Sequence, residues 1–168
     1  MADLPGPPVR VDKLGRPFVL RSFLPADRPG LEAMYREFEP KRCAQGLPPL
    51  GDAERTRWLD SVLVAGDHIV VVVGGTVRGH GMLIPFQPRA AELANFLHQS
   101  IRDRGIGTAL NRALLDKGHE RGITRVWLSV EPSNRRAIRS YEKVGFRRLP
   151  AGTWAPEVEM EVQLGGSD

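Results

Sequence analysis

Helical and strand periodicities that alternate along the chain, a Gly-Gly hairpin signal near its middle and a glycine loop lodged between a strand and a helix predict a mixed α/β (α+β) fold. Its sheet is expected to be mostly antiparallel, with helices on both faces. The chain has 168 residues, 41% of them hydrophobic and 26% charged. That composition suits one packed core and excludes a disordered or fibrous chain. The expected organisation is a flexible tail over 1–16, which carries four prolines or glycines among its first eight residues, followed by a single domain over 17–168.

Phe18 to Ser22 reads as a short strand. Pro25-Ala26-Asp27 opens a helix whose apolar positions Leu31, Met34, Tyr35 and Phe38 recur at helical spacing and face a core. Glu39 to Gly51 holds three prolines and two glycines and is an irregular connection, after which Asp52 is expected to cap a second helix with Trp58, Leu59, Val62 and Leu63 on one side. The β-branched run His68 to Val73, the Gly74-Gly75 turn and the return Thr76 to Ile84 predict a hairpin. A turn at Pro85 to Arg89 and a strand from Ala91 to His98 follow. The period then changes to a helix from Gly105 to Arg121, a strand from Arg125 to Val130 and a helix from Asn134 to Val144 stopped by Gly145. Strands at Phe146 to Leu149 and Glu157 to Leu164 close the order βααβββαβαββ.

The longest strongly apolar run, Ile69 to Val73, is too short to span a bilayer, and Met1 to Gly6 lacks the apolar stretch of a signal peptide. A cytoplasmic location without a membrane partner is expected. Cys43, the single cysteine, has no partner for an internal disulfide, and His68, His80, His98 and His119 show no zinc-ligand spacing, so no metal is expected. The net charge of +4 is unevenly spread: Ile101 to Leu149 carries 12 Arg and Lys against 5 Asp and Glu, the rest of the chain 12 against 15. Such a basic segment fits a nucleic acid, a membrane surface, a phosphorylated ligand or plain solvation. No aromatic platform or helix-turn-helix signal supports nucleic acid.

Arg102-Asp103-Arg104-Gly105-Ile106-Gly107-Thr108 stands where a strand gives way to an amphipathic helix. Unsatisfied N–H groups and the positive helix end there suit a phosphate, and glycine permits close approach. A glycine turn that merely starts a helix reads the same in isolation. Leu110 stands where a dinucleotide fingerprint needs its third glycine, and no Gly-Lys-Ser/Thr follows for a nucleoside-triphosphate loop. Further on, the strand Val126 to Val130 leads through Glu131-Pro132-Ser133 into Asn134, with Ala137, Ile138 and Tyr141 on the helix and Gly145-Phe146 at its end.

These two segments together resemble the GNAT superfamily of N-acetyltransferases. The family's diphosphate motif falls on Arg102, Gly105 and Gly107, and its later motif on Asn134, Ala137, Tyr141, Gly145 and Phe146. The resemblance covers residues 91–147, with a family-like opening at Leu20 to Asp27. Asp103 departs from the small residue frequent at that place and adds negative charge, which Arg102 and Arg104 are expected to offset. The resemblance implies acetyl-CoA as co-substrate, bound where the strands ending at His98 and Val130 splay apart. Pantetheine would pair with the backbone of Phe96, Leu97 and His98, and the diphosphate would meet the N–H groups of 102–108.

It also implies direct attack by an amine in a ternary complex. An amine of pKa ~10.4 is only about 0.04% neutral at pH 7, a cost of about 4.6 kcal/mol, so a base is useful. Glu92 is the expected base or water-holding group, with Glu131 and His98 behind it; a carboxylate lying only on the strand surface is the alternative for Glu92. Tyr141 is the expected proton donor to the departing thiolate, and the alternative is a core aromatic. Asn134 is expected to touch pantetheine or water, or else to cap its helix. The acceptor is an amine on a small molecule, or a lysine or N-terminal amine of a peptide or protein, shaped by Met34 to Trp58 and the turn at Pro85 to Arg89, in a monomer or homodimer. The competing function is a non-catalytic acyl-CoA-binding or sensing module of the same fold.

Overall fold

The structure, a computed structural model, describes residues 6–41, 47–151 and 156–165. Cys43 lies outside them. The elements are β1 (Val9–Val11), β2 (Pro17–Ser22), α1 (Arg28–Glu37), α2 (Asp52–Val62), β3 (Asp67–Val73), β4 (Thr76–Gln87), β5 (Ala90–Leu97), α3 (Ile106–Glu120), β6 (Arg125–Val130), α4 (Arg135–Lys143), β7 (Arg147–Arg148) and β8 (Val158–Gln163). The described strands form one sheet of order β1-β2-β3-β4-β5-β6-β8-β7. Every pairing is antiparallel except β5 with β6. This is the mixed, mostly antiparallel architecture that the strand and helix periods predict.

Strand alternation explains how one sheet serves two cores. Leu20, Ile69, Val71, Leu83, Leu93, Val126 and Leu128 pack beneath α3 and α4 with Ile106, Leu110, Leu114 and Ile138. Val70, Val77, Met82 and Phe96 instead meet Leu31, Met34, Tyr35 and Leu59 of α1 and α2. Gly81 faces the first layer, where a Cβ would lie 2.8 Å from Leu114 Cδ1, so the missing side chain lets α3 approach the sheet.

Three local expectations are corrected. Val9–Val11, inside the segment read as a flexible tail, is a strand in antiparallel register with Val19 to Pro17. Its turn is held by Asp12, whose Oδ1 accepts from the N–H groups of Leu14 (2.8 Å) and Arg16 (3.0 Å); three residues amid Pro and Gly are too short to show a period. Asp52 is the first residue of α2 and not its cap, which is Gly51; its carboxylate instead accepts from Arg55. β4 runs past Ile84 to Gln87, so the turn into β5 is only Pro88-Arg89.

A hydrogen-bond chain running from the core out to the surface ties α1 to the sheet. His68 Nε2–H donates to Ala65 O (2.9 Å), which leaves His68 Nδ1 to accept from His80 Nε2–H (2.9 Å) and His80 Nδ1 to accept from the Tyr35 hydroxyl (2.7 Å). Burial, with the charge His68 would carry, pushes His80 down to about 3. The folded protein therefore keeps His80 neutral while the unfolded chain protonates it near ~6.5, and stability contributed above that pH is lost as pH falls from ~6.5 toward about 3. Urea unfolding from pH 7 to 4.5 should show His80→Gln losing stability less steeply than wild type, by up to ~1.4 kcal/mol per pH unit. Parallel slopes would mean that His80 does not carry this linkage.

Candidate active site

The site begins where the sheet fails to continue. β5 and β6 pair only at Ala90↔Arg125, Ala91↔Val126 and Glu92↔Trp127. Beyond that point β5 stays with β4 as far as Gly79↔Leu97, and β6 stays with β8 as far as Val130↔Val158. The two middle strands therefore part after Glu92, in the manner that the family resemblance implies. A cleft of about 1150 Å³ opens between them. Alternation along β5 turns Glu92, Ala94 and Phe96 toward the α1/α2 layer and Leu93, Asn95 and Leu97 toward α3 and α4.

The loop ahead of α3 closes one end of the cleft. Asp103 (φ 63°) and Gly105 (φ 80°) both take left-handed backbone, which glycine adopts freely and a short Asp tolerates. Arg102, Asp103, Gly105, Gly107 and Thr108 line the cleft at the start of α3, where the first N–H groups of a helix lack intrahelical partners. Ile106 is buried in the core. The Asp103 charge is met by Arg136 at 2.7 Å, with its sequence neighbour Arg102 also within electrostatic reach. Arg104 turns to Asp12 at 3.5 Å, and Arg102 donates from Nε to Leu97 O at 3.0 Å and from its other end to Glu39 O, its guanidinium 5.1 Å from the Phe38 ring centre.

On α4, Asn134 is the N-cap, and its Oδ1 accepts from the Ala137 N–H (3.3 Å); both residues line the cleft. Two turns on, Tyr141 is 6% exposed, packs edge-on against Phe146 and presents its remaining surface to the cleft. Its hydroxyl has no hydrogen-bond partner among the described residues. Burial pushes it up to about 12. Behind the loop, Asn95 Nδ2 donates to Asn111 Oδ1 (2.5 Å), Asn111 Nδ2 to Ser140 Oγ (3.2 Å), and Thr108 Oγ1 lies 3.2 Å from the same oxygen. This network fixes β5, α3 and α4 around the gap.

Glu92 stands at the fork, where burial and the charge of Glu157 raise its carboxyl above the usual range. Glu131 also lines the cleft. His98 does not line it. Its ring is buried, with Nε2 3.0 Å from Glu37 Oε2 and Nδ1 2.6 Å from Ser100 Oγ, and its backbone N–H is spent on Arg78 O. Burial and Arg78 lower its pKa against the opposing pull of Glu37. Among the described residues no group of three or more His, Cys, Asp or Glu is placed to hold a metal ion.

Several lining residues carry no sequence signal for this role. Lys13, from the segment read as tail, lies over the loop: its N–H donates to Arg104 O (3.0 Å), and its side chain runs where a Gly105 Cβ would sit. Glu157 before β8 also faces the cleft, as does Trp58 of α2, which ends the segment expected to shape the acceptor site. The Pro85 to Arg89 turn does not contribute to it.

The model of the family described as "Acetyltransferase (GNAT) family" matches residues 31–146. An N-acetyltransferase of Mycobacterium tuberculosis is 36% identical over 74 residues, 44% of this chain and 47% of that one, so the match spans about half of that relative's length. The L-methionine sulfoximine/L-methionine sulfone acetyltransferase of Pseudomonas aeruginosa is 26% identical over 157 residues, covering 83% of this chain and 90% of that one. The fold is shared with the crystal structure of a GNAT superfamily phosphinothricin acetyltransferase from Sinorhizobium meliloti in complex with AcCoA, at a TM-score of 0.71 and 21% identity over 88% of this chain and 89% of that one.

The buried amide network allows one direct test. Asn111→Ala strips Asn95 and Ser140 of a partner, and should cost roughly 1–3 kcal/mol in urea unfolding. An unchanged midpoint would show that water replaces Asn111 without loss.

Proposed function

Because the chain belongs to the acetyltransferase (GNAT) family, we propose that it is an N-acetyltransferase that moves an acetyl group from acetyl-CoA to an amine acceptor by direct attack in a ternary complex. The observation that carries this reading is the parting of β5 and β6. It brings Glu92 from the α1/α2 face and Tyr141 from the α4 layer into one cleft, whose end is the glycine loop of α3. Acetyl-CoA supplies an activated acyl group and, with its phosphates, the anion that this loop suits. The residues present fit it: the left-handed Gly105 opens a cradle of N–H groups, and Lys13, Arg135, Arg136, Arg139 and Lys143 give the surrounding wall its positive charge.

The exposed edge of β5 from Leu93 to Leu97 is suited to hold an extended chain by strand-like pairing, since β6 has left it. His98 then belongs to the support of this edge through Glu37 and Ser100, and Asn134 to the start of α4. Glu92 takes a proton from the acceptor ammonium, directly or through water. Its raised carboxyl matches that task better than an ordinary glutamate, because a base is most useful when its pKa approaches the working pH.

Tyr141, held un-ionised by burial, donates to the sulfur that leaves. Complete transfer from an acid near 12 to the thiolate of a thiol near ~8.5 is uphill by roughly 5 kcal/mol. The benefit therefore lies in hydrogen-bond donation as charge develops on sulfur. Among the described residues no helix is long and apolar enough to cross a membrane. A cytoplasmic location, no metal, and action as a monomer or homodimer complete the proposal.

Tyr141→Phe should fold and bind CoA with wild-type affinity yet lose on the order of 10² or more in kcat. A kcat within twofold of wild type, measured where chemistry limits the rate, would remove Tyr141 from the mechanism. For Glu92, which must be ionised to act, kcat/KM of the wild type should fall with acid at a pH above the ordinary carboxylate range of ~4.3. Glu92→Gln should lose that acid limb and be slowest relative to wild type near neutral pH. Its stability there should not drop, since the fold disfavours the ionised Glu92. A uniform loss across pH would assign Glu92 to binding or structure.

A further inference from the structure

Resting on the transferase reading, we infer that the acceptor is an arylalkylamine or a similarly apolar primary amine with no carboxylate beside the amine, selected by Trp58 and Glu157. The part of the cleft toward α1 and α2 is walled by Phe38, Trp58, Phe96, Met82 and Ile84. The aromatic members form a chain of edge-on contacts: Trp58 to Phe96 at 5.7 Å and Phe38 to Phe96 at 5.8 Å between ring centres. Tyr35 stands behind all three, edge-on to Trp58 at 5.2 Å. Its own hydroxyl is fixed on His80 at 2.7 Å. A wall braced in this way offers a flat organic body a site that needs little ordering on binding.

Among the described residues, carboxylates dominate the charge of this half. Glu92 and Glu157 both line it, and burial together with the charge of Glu157 raises the Glu92 carboxyl. A cationic amine relieves that repulsion. A carboxylate next to the amine restores it, and two of the cations that line the cleft are held at the glycine loop: Lys13 packs against Gly105 and Arg136 pairs with Asp103. Arg102, the one nearest this wall, already donates to Leu97 O and Glu39 O over the face of Phe38. Among the described residues, then, the cation nearest an acceptor carboxylate in this half is one already donating to two backbone carbonyls.

Matched pairs that differ only by the carboxylate isolate this selectivity: phenethylamine with phenylalanine, and 3-(methylthio)propylamine with methionine. Each is titrated calorimetrically into the CoA-saturated protein and assayed for thiol release from acetyl-CoA. The decarboxylated member of each pair should have the higher kcat/KM by roughly 10²-fold and the tighter binding. Trp58→Ala, and Trp58→Leu should the first not fold, should lower kcat/KM for phenethylamine about tenfold more than for ethylamine. Glu157→Gln should weaken the amines while narrowing the gap within each pair. Equal or better use of the amino acids, or a Trp58 variant that treats phenethylamine and ethylamine alike, overturns the inference. Turnover confined to spermidine or to peptide N-termini overturns it too while the transferase reading stands. If acetyl-CoA itself fails to bind, both fall.

Discussion

The parting of β5 from β6 after Glu92 governs the rest of the molecule. A strand edge inside a protein leaves N–H and C=O groups without partners, and each costs about 1–3 kcal/mol if it is buried and stays unpaired. The chain keeps this edge open by covering the outer side of each strand instead. β4 holds β5 to its end, and β8 holds β6 to its end, so neither strand collapses into the gap. The cleft is thus a break in an otherwise continuous sheet, lined by backbone suited to receive another extended chain.

The two helical layers converge on this break from opposite sides. A closed sheet would separate Glu92, which faces α1 and α2, from Tyr141 of α4; at the fork both reach one cavity. The polar network of Asn95, Asn111, Ser140 and Thr108 on one side and the Tyr35, His80 and His68 chain on the other brace the two walls independently. Buried polar chains of this kind are costly when broken, which ties each wall's geometry to the integrity of the fold.

Charge divides the cleft along the same line. The basic excess of 101–149 gathers around the α3 loop and α4, where an anionic cofactor is proposed to sit, whereas Glu92 and Glu157 mark the end proposed for the amine. Asp103 does not spoil the basic end, because Arg136 neutralises it from the neighbouring helix. Arg104, one of the two neighbours expected to offset it, is drawn to the N-terminal turn through Asp12.

What the sequence determined by itself is whatever depends on neighbours in the chain. The 3.6-residue and 2-residue periods marked the helices and most strands, Gly105 and Gly107 marked the loop that opens α3, and the Asn134 to Tyr141 spacing placed both residues on one helix beside it. Legibility stopped where a residue's role comes from a partner far along the chain. Lys13 reaches the glycine loop only because β1 pairs with β2. Glu157 shifts Glu92 only because β8 returns beside β6. Trp58 becomes a wall only when α2 meets Phe96 on the sheet. Side-chain commitments were equally hidden: His98 turned to Glu37 and Ser100, and Arg102 to two carbonyls, choices set by the nearest partner in space. Local pattern carries the backbone because torsional and helical preferences act over a few residues, whereas the chemistry of the site is settled by contacts that exist only after the chain has closed on itself.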